Sequence, residues 1–135
     1  MTRYSTVDDV GRCINPLIVH GQTHGGIVQG AGQALFEHCF VDHNSGQPVT
    51  GSLMDYGISR AADFPSFKTE IAEVLSPTNP LGIKAGGEGG TTPALATIVN
   101  AVVDALAEFG VEDIAMPLTP QRVWAAIQNS SSSNH

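Results

Sequence analysis

The chain has 135 residues and is acidic, with six Lys and Arg against 13 Asp and Glu and a net charge of −7. That balance leaves no basic footprint for nucleic acid or for an anionic membrane surface. No apolar run approaches the roughly 20 residues of a membrane-spanning helix, and the polar start Met1-Thr2-Arg3-Tyr4 has no secretory apolar core. Charged residues are only 14%, against about 25% in an ordinary soluble domain, so part of the surface is expected to be covered by other protein. A sticky but complete small domain is the alternative. Two cysteines, Cys13 and Cys39, make no disulfide framework and point to a reducing, cytoplasmic setting. The length fits one domain, residues 1–128, followed by a disordered polar tail over 129–135.

Residues 5–13 read as a strand on Thr6, Val7 and Val10, broken at Gly11 and ended by Asn15-Pro16. Asp8-Asp9 is odd there: on opposite strand faces one carboxylate is buried and needs a partner, unless the pair caps a turn. A helix is predicted over 20–38, with Ile27, Ala31, Ala34 and Leu35 at helical spacing. It carries Gly21, Gly25, Gly26, Gly30 and Gly32, each costing about 0.5–1 kcal/mol relative to Ala. Such a helix implies that a second element or a ligand approaches its backbone closely. Residues 40–42 and 47–49 read as two strands around a turn, and 67–75 as another strand, stopped by Ser76-Pro77-Thr78-Asn79-Pro80. Residues 82–90 are a glycine loop. Thr92-Pro93 signals a helix start with Thr92 as N-cap, and Ile98, Val99, Val102, Val103 and Leu106 form its apolar stripe up to a stop at Gly110. Thr119-Pro120 starts a last helix over 121–128, with Val123, Trp124 and Ile127 as its apolar face. The fold class expected is α+β in two layers, helices packed on one face of a mixed β-sheet.

Among candidate chemistries, Glu88 is the single side chain in Gly86-Gly87-Glu88-Gly89-Gly90, just before a helix N-terminus. Glycines on both sides let a large group approach, and a carboxylate there suits a general base; a solvated loop with an incidental Glu fits the same pattern. Neither glycine run ends in Gly-Lys-Ser/Thr or lies between strand and helix as a dinucleotide fingerprint does. His20 and His24, four apart, would share a helix face, but no Glu stands between them in His-Glu-x-x-His fashion. His38, Cys39, Asp42 and His43 cluster across a strand and a turn, where side chains diverge. No residue is assigned as a metal ligand, and no Gly-x-Ser-x-Gly marks a hydrolase.

Four stretches in order carry a family resemblance: Val7-Asp8-Asp9-Val10-Gly11 with Ile14-Asn15-Pro16; Gly21-Gln22-Thr23-His24-Gly25-Gly26-Ile27-Val28-Gln29-Gly30; Asn79-Pro80-Leu81-Gly82 leading to Lys84-Ala85-Gly86-Gly87-Glu88-Gly89-Gly90; and Asn100-Ala101-Val102-Val103-Asp104-Ala105-Leu106. Asp55-Tyr56 and Thr119-Pro120-Gln121-Arg122-Val123-Trp124 fit as well. Together they resemble the C-terminal part of the molybdopterin-binding large subunit of the xanthine dehydrogenase, aldehyde oxidase and carbon monoxide dehydrogenase family. The resemblance implies hydroxylation of an aldehyde, heterocycle or CO-like small molecule with oxygen from water. It implies a molybdenum-pterin cofactor, molybdopterin or its cytosine dinucleotide form, shared with upstream residues outside this chain. Glu88 matches the family's base, which takes the proton from a hydroxyl ligand of the metal. Gln22, Gly25 and Gly26 match the stretch lining the cofactor, and Gly86 and Gly87 the residues beside the metal. Implied partners are the remainder of the subunit and iron-sulfur and FAD subunits, with self-association of the isolated chain and no activity of its own. The other reading is a cofactor-free structural or interaction domain derived from the same family.

Overall fold

The computed structural model describes residues 1–132, which fall into two compact units where a single domain over 1–128 is expected. One unit holds Met1–Gly30 and Arg60–Ala94, the other Ala31–Ser59 and the chain from Leu95 onward.

In the first unit, β1 (Tyr4–Asp8) and β2 (Phe67–Ile71) pair in parallel, Tyr4 opposite Phe67 and Asp8 opposite Ile71. Between them in sequence runs α1 (Pro16–Leu35). Period-two alternation leaves Ser5, Val7, Lys68 and Glu70 exposed and turns Tyr4, Thr6, Phe67 and Thr69 inward. On that inner face His20 Nδ1 lies 2.7 Å and His24 Nε2 3.2 Å from Thr69 Oγ1, and the His24 ring meets Phe67 edge-on at 5.6 Å. The i, i+4 histidines thus tie α1 to β2. The α+β class holds, with a helix on one face of the sheet, but the sheet is a parallel pair among the described residues, not a mixed one. The expected antiparallel strands at 40–49 reduce to one bridge, Val41 to Pro48. Pro48 has no amide proton to extend the ladder, and Asp42 accepts the amide and hydroxyl of Ser45, closing a turn.

Other boundaries shift for local reasons. The first strand stops at Asp8 because Asp9 Oδ1 accepts the Gly11 amide at 2.9 Å and Gly11 turns at φ 62°. The helix begins four residues earlier than expected: Asn15 Oδ1 accepts the Ile18 amide at 3.3 Å and Pro16 opens it, an N-cap followed by Pro at the first position.

In the second unit, α2 (Thr91–Leu106, the start of which lies in the first) ends in a 3-10 turn, Ala107–Phe109, and Gly110 at φ 76°. Its Leu106 packs in a core with Val111, Ile114 and Leu118, bordered by Val99, Val102 and Val103. The stretch Thr91–Phe109 is long and apolar enough, by length and composition, to cross a membrane, although polar residues interrupt it and it holds no unbroken apolar run of that length. The last helix, α3 (Pro120–Ser132), is longer than the 121–128 expected. Its Val123, Ala126 and Ile127 border the core, whereas Trp124 is 65% exposed, so the helix is rotated from the face expected. Residues 129–132 of the expected disordered tail are helical; the rest of that tail lies outside the described residues. Tyr56 donates to Glu37 at 2.7 Å, which pushes its phenol above the ordinary value.

Glycines along α1 divide into two kinds. A Cβ at Gly26 would lie 2.8 Å from the Thr91 amide nitrogen and 2.9 Å from its hydroxyl, whereas at Gly21 and Gly25 it would meet nothing within 4 Å. Gly26→Ala is therefore expected to destabilise the chain by about 1–3 kcal/mol, and Gly25→Ala to stabilise it by about 0.5–1 kcal/mol, measured by urea unfolding.

Asp9 stitches three segments of the first unit, accepting from Gly11, from the Val74 amide at 3.2 Å and from Lys84 Nζ. The Lys84 ammonium, then the Gly11 amide, hold its carboxyl below the ordinary aspartate value, against a smaller opposing effect of desolvation. A carboxyl lowered by folding stabilises above its unfolded value and loses that contribution as pH falls through the folded one. The stability difference between the native chain and Asp9→Asn should thus be full at neutral pH and shrink below about pH 4, read from denaturation midpoints across that range.

Candidate functional site

The 82–90 loop and the exposed side of α1 build the site within the first unit. The Glu88 carbonyl accepts the amides of Thr91 and Thr92, both at 3.1 Å. Two of the unsatisfied N–H groups that open α2 are thereby met by the backbone of the residue of interest, so helix α2 begins where Glu88 is placed. The expectation that Thr92 is the N-cap is corrected accordingly: Thr91 is already helical.

The Glu88 carboxylate is exposed, in a depression of about 480 Å³ shared with Ala85, Gly87, Gly89, Thr92 and Pro93. A second cleft, of about 420 Å³, is lined by Gln22, Gly86, Gly87, Arg12, Lys84 and apolar residues including Ile14 and Ile18. Gly87 lines both. Gln22 Nε2 donates to the Gly87 carbonyl at 2.8 Å, fastening α1 to the loop between the two depressions and leaving the amide oxygen of Gln22 as an acceptor.

Of the residues singled out in the sequence, Gln22, Gly86, Gly87 and Glu88 come together here. Gly25 presents bare backbone on the exposed side of α1, outside the lining of either depression, and Gly26 is buried beneath Thr91. Gly86 is half-buried, and a Cβ there would strike Val10 Cγ1 at 2.7 Å. Gly87 is open on its Cβ side.

Four residues not assigned from the sequence hold this arrangement. Lys84 pairs with Asp9, and the buried Thr23 donates to Asp8 at 2.7 Å. The anomaly of two consecutive aspartates at a strand end was the signal for them. Among the described residues no group of three His, Cys, Asp or Glu is placed to hold a metal ion; His20 and His24 meet Thr69. The residues present suit an anionic organic cofactor: uncrowded glycine backbone at Gly25 and Gly87, an amide oxygen acceptor on Gln22, and the Arg12 cation on the wall of one cleft.

Residues 1–65 match the family described as the molybdopterin cofactor-binding domain. The chain is 43% identical over 129 residues to the 6-hydroxypseudooxynicotine dehydrogenase complex subunit gamma of Paenarthrobacter nicotinovorans, covering 93% of this chain and 16% of that one. It is 36% identical to the carbon monoxide dehydrogenase large chain of Hydrogenophaga pseudoflava, again over 93% of this chain and 16% of the relative. The crystal structure of quinoline 2-oxidoreductase from Pseudomonas putida 86 superimposes with a TM-score of 0.88 at 44% identity, covering 94% of this chain and 16% of that one. The chain thus spans about a sixth of the length of these relatives while nearly all of it is matched. A molybdopterin-domain match that reaches the Gln22 stretch, together with relatives and a solved structure aligned over more than nine-tenths of the chain, makes this chain similar over nearly its whole length to one part of the molybdopterin-binding large subunits of the carbon monoxide dehydrogenase and xanthine dehydrogenase family.

Proposed function

We propose that this chain is the C-terminal, cofactor-binding piece of the large subunit of a molybdenum hydroxylase, acting in a reducing, cytoplasmic setting with Glu88 as general base. The observation that carries the reading is the hydrogen bond from Gln22 to the Gly87 carbonyl. It brings the glycine side of α1 and the Glu88 loop into one surface with two depressions meeting at Gly87.

When bound, the molybdenum-pterin group supplies the site of oxygen transfer and accepts the electrons of substrate oxidation. The chain's own residues do the rest of the work assigned here. Gln22 and the bare backbone of Gly25 and Gly87 receive the cofactor. Gly86, seated on Val10, keeps the loop low enough for that approach, and Gly26 contributes by seating the start of α2 against α1. Glu88, exposed beside Gly87, takes up a proton at its carboxylate. The remainder of the subunit completes the site, with iron-sulfur and FAD subunits carrying electrons away. Exposed Ile14 and Ile18, which line the apolar cleft, and exposed Leu17 suit burial by that remainder, and self-association when it is missing. The substrate class is an aldehyde, a heterocycle or a CO-like molecule, and the quinoline named for one relative favours a nitrogen heterocycle.

In the enzyme assembled with the rest of its subunits, Glu88→Gln is expected to cut turnover by roughly 10²–10⁴-fold while molybdenum content stays near that of the native enzyme. Turnover within a few-fold of native would remove Glu88 from the role. The 135-residue chain alone is expected to fold yet to purify with far less than one molybdenum per chain by elemental analysis, because the upstream share of the cofactor contacts is missing.

A further inference from the structure

Glu88 stands in a run of four glycines, Gly86, Gly87, Gly89 and Gly90, the residue type with the most backbone freedom to lose. Such a loop admits a cofactor but does not by itself hold a carboxylate in place. What holds it is found at the end of β1. Asp9 accepts Lys84 Nζ on Oδ2 and the amides of Gly11 and Val74 on Oδ1. The Lys84 amide donates to Val10 O at 2.8 Å, and Gly11 bridges to Ile83. Gly11 has φ 62°, and a Cβ on it would lie 2.1 Å from Gly82 O. The loop is thereby fixed at residue 84. Asp8, on the other face of the strand, accepts the hydroxyl of buried Thr23 on Oδ2. Its Oδ1 faces Gly89, where a Cβ would stand 3.3 Å away, and Gly90 lies so close to Thr23 that a Cβ would meet its carbonyl oxygen at 2.4 Å. The loop is thereby fixed again at residues 89–90. Only residues 85–88 lie between the two anchors.

We infer that Asp8 with Thr23 and Asp9 with Lys84 form a two-sided clamp whose function is to position the Glu88 carboxylate, the four being positioning residues for the proton transfer. The inference rests on the reading of Glu88 as the base. None of the four lines the depression around Glu88. Each pair shortens the stretch of chain over which Glu88 is free to wander, and a displacement of about 1 Å at a reacting group costs on the order of 10²-fold in rate.

Two measurements test the clamp. In the assembled enzyme, Lys84→Met and Thr23→Val are expected to lower kcat by roughly 10²-fold with KM changed less than about threefold and molybdenum content near native, while Lys84→Arg, which keeps the cation, restores most of kcat. In the full 135-residue chain, hydrogen exchange of the Lys84, Thr91 and Thr92 amides should quicken by about tenfold or more in Asp9→Asn and Lys84→Met, with the amides of α3 unchanged. Loss of kcat in step with loss of molybdenum, or quickened exchange in α3 as well, would show a general structural role and overturn the clamp, as would native kcat in Lys84→Met. If Glu88→Gln proves active while the exchange pattern is as expected, the base assignment fails and the clamp stands as an anchor of the loop alone.

Discussion

Two consecutive carboxylates at the end of β1 organise the first unit. Successive side chains of a strand point to opposite faces, so Asp8 and Asp9 cannot serve the same partner. Asp8 turns toward α1 and is met by the Thr23 hydroxyl; Asp9 turns toward the strand-end turn, the segment after β2 and Lys84. Asp8 is half-buried and Asp9 exposed, and each carboxylate accepts from groups on segments distant in sequence. These bonds hold α1 and the 82–90 loop around the same strand end. The site is a consequence of that geometry, since the loop leaves Lys84 and returns past Asp8 at Gly89.

The glycines of α1 show how a helix can be spent on two different demands. Gly26 gives up a side chain so that Thr91 and Gly90 can approach its backbone, and that contact seats the start of α2, whose first amides bond to Glu88 O. Gly21 and Gly25 give up theirs with no neighbour within 4 Å among the described residues to account for it. A helical glycine facing open space is a net loss of stability, so these positions ask for a cause outside the chain, which the proposed cofactor supplies. The two histidines follow the opposite logic. Their helical spacing, which fits a metal site as well as a contact, is used here to bracket one threonine hydroxyl from the neighbouring strand.

Family similarity and the proposed chemistry stand in different relations to the structure. The match extends over nearly all of the chain but over only 16% of its relatives. Within the chain, Gln22 and Glu88 line two depressions that meet at Gly87. Exposed apolar residues of α1, Leu17 at 82% among them, go with the low charge content of the chain, and under the proposed function both have one cause, a surface covered by the remainder of the subunit.

Much was legible in the residue order. The loop carrying Glu88, the glycine-rich helix and the stop at Gly110 follow from local chemistry: glycine's access to positive φ, Pro at helix starts, and apolar periodicity. The ordered motifs sufficed for the family resemblance as well. Local signals also misled. Asn15-Pro16 reads as a strand terminator but is the cap and first residue of α1, because the same dipeptide ends one element and begins the next. Periodicity puts Trp124 on the apolar face of α3 beside Val123, but a period of 3.6 does not say which of two adjacent apolar residues turns inward, and the core holds Val123. What only the tertiary structure decided were the partners: Lys84 for Asp9, Thr23 for Asp8, Thr69 for both histidines, and Gly87 for Gln22. These join residues from 15 to 75 positions apart, and no local propensity reaches that far. Sequence specifies which groups need an answer, whereas which group answers depends on how the chain returns on itself, and that is set by burying α1 and the two strands against one another.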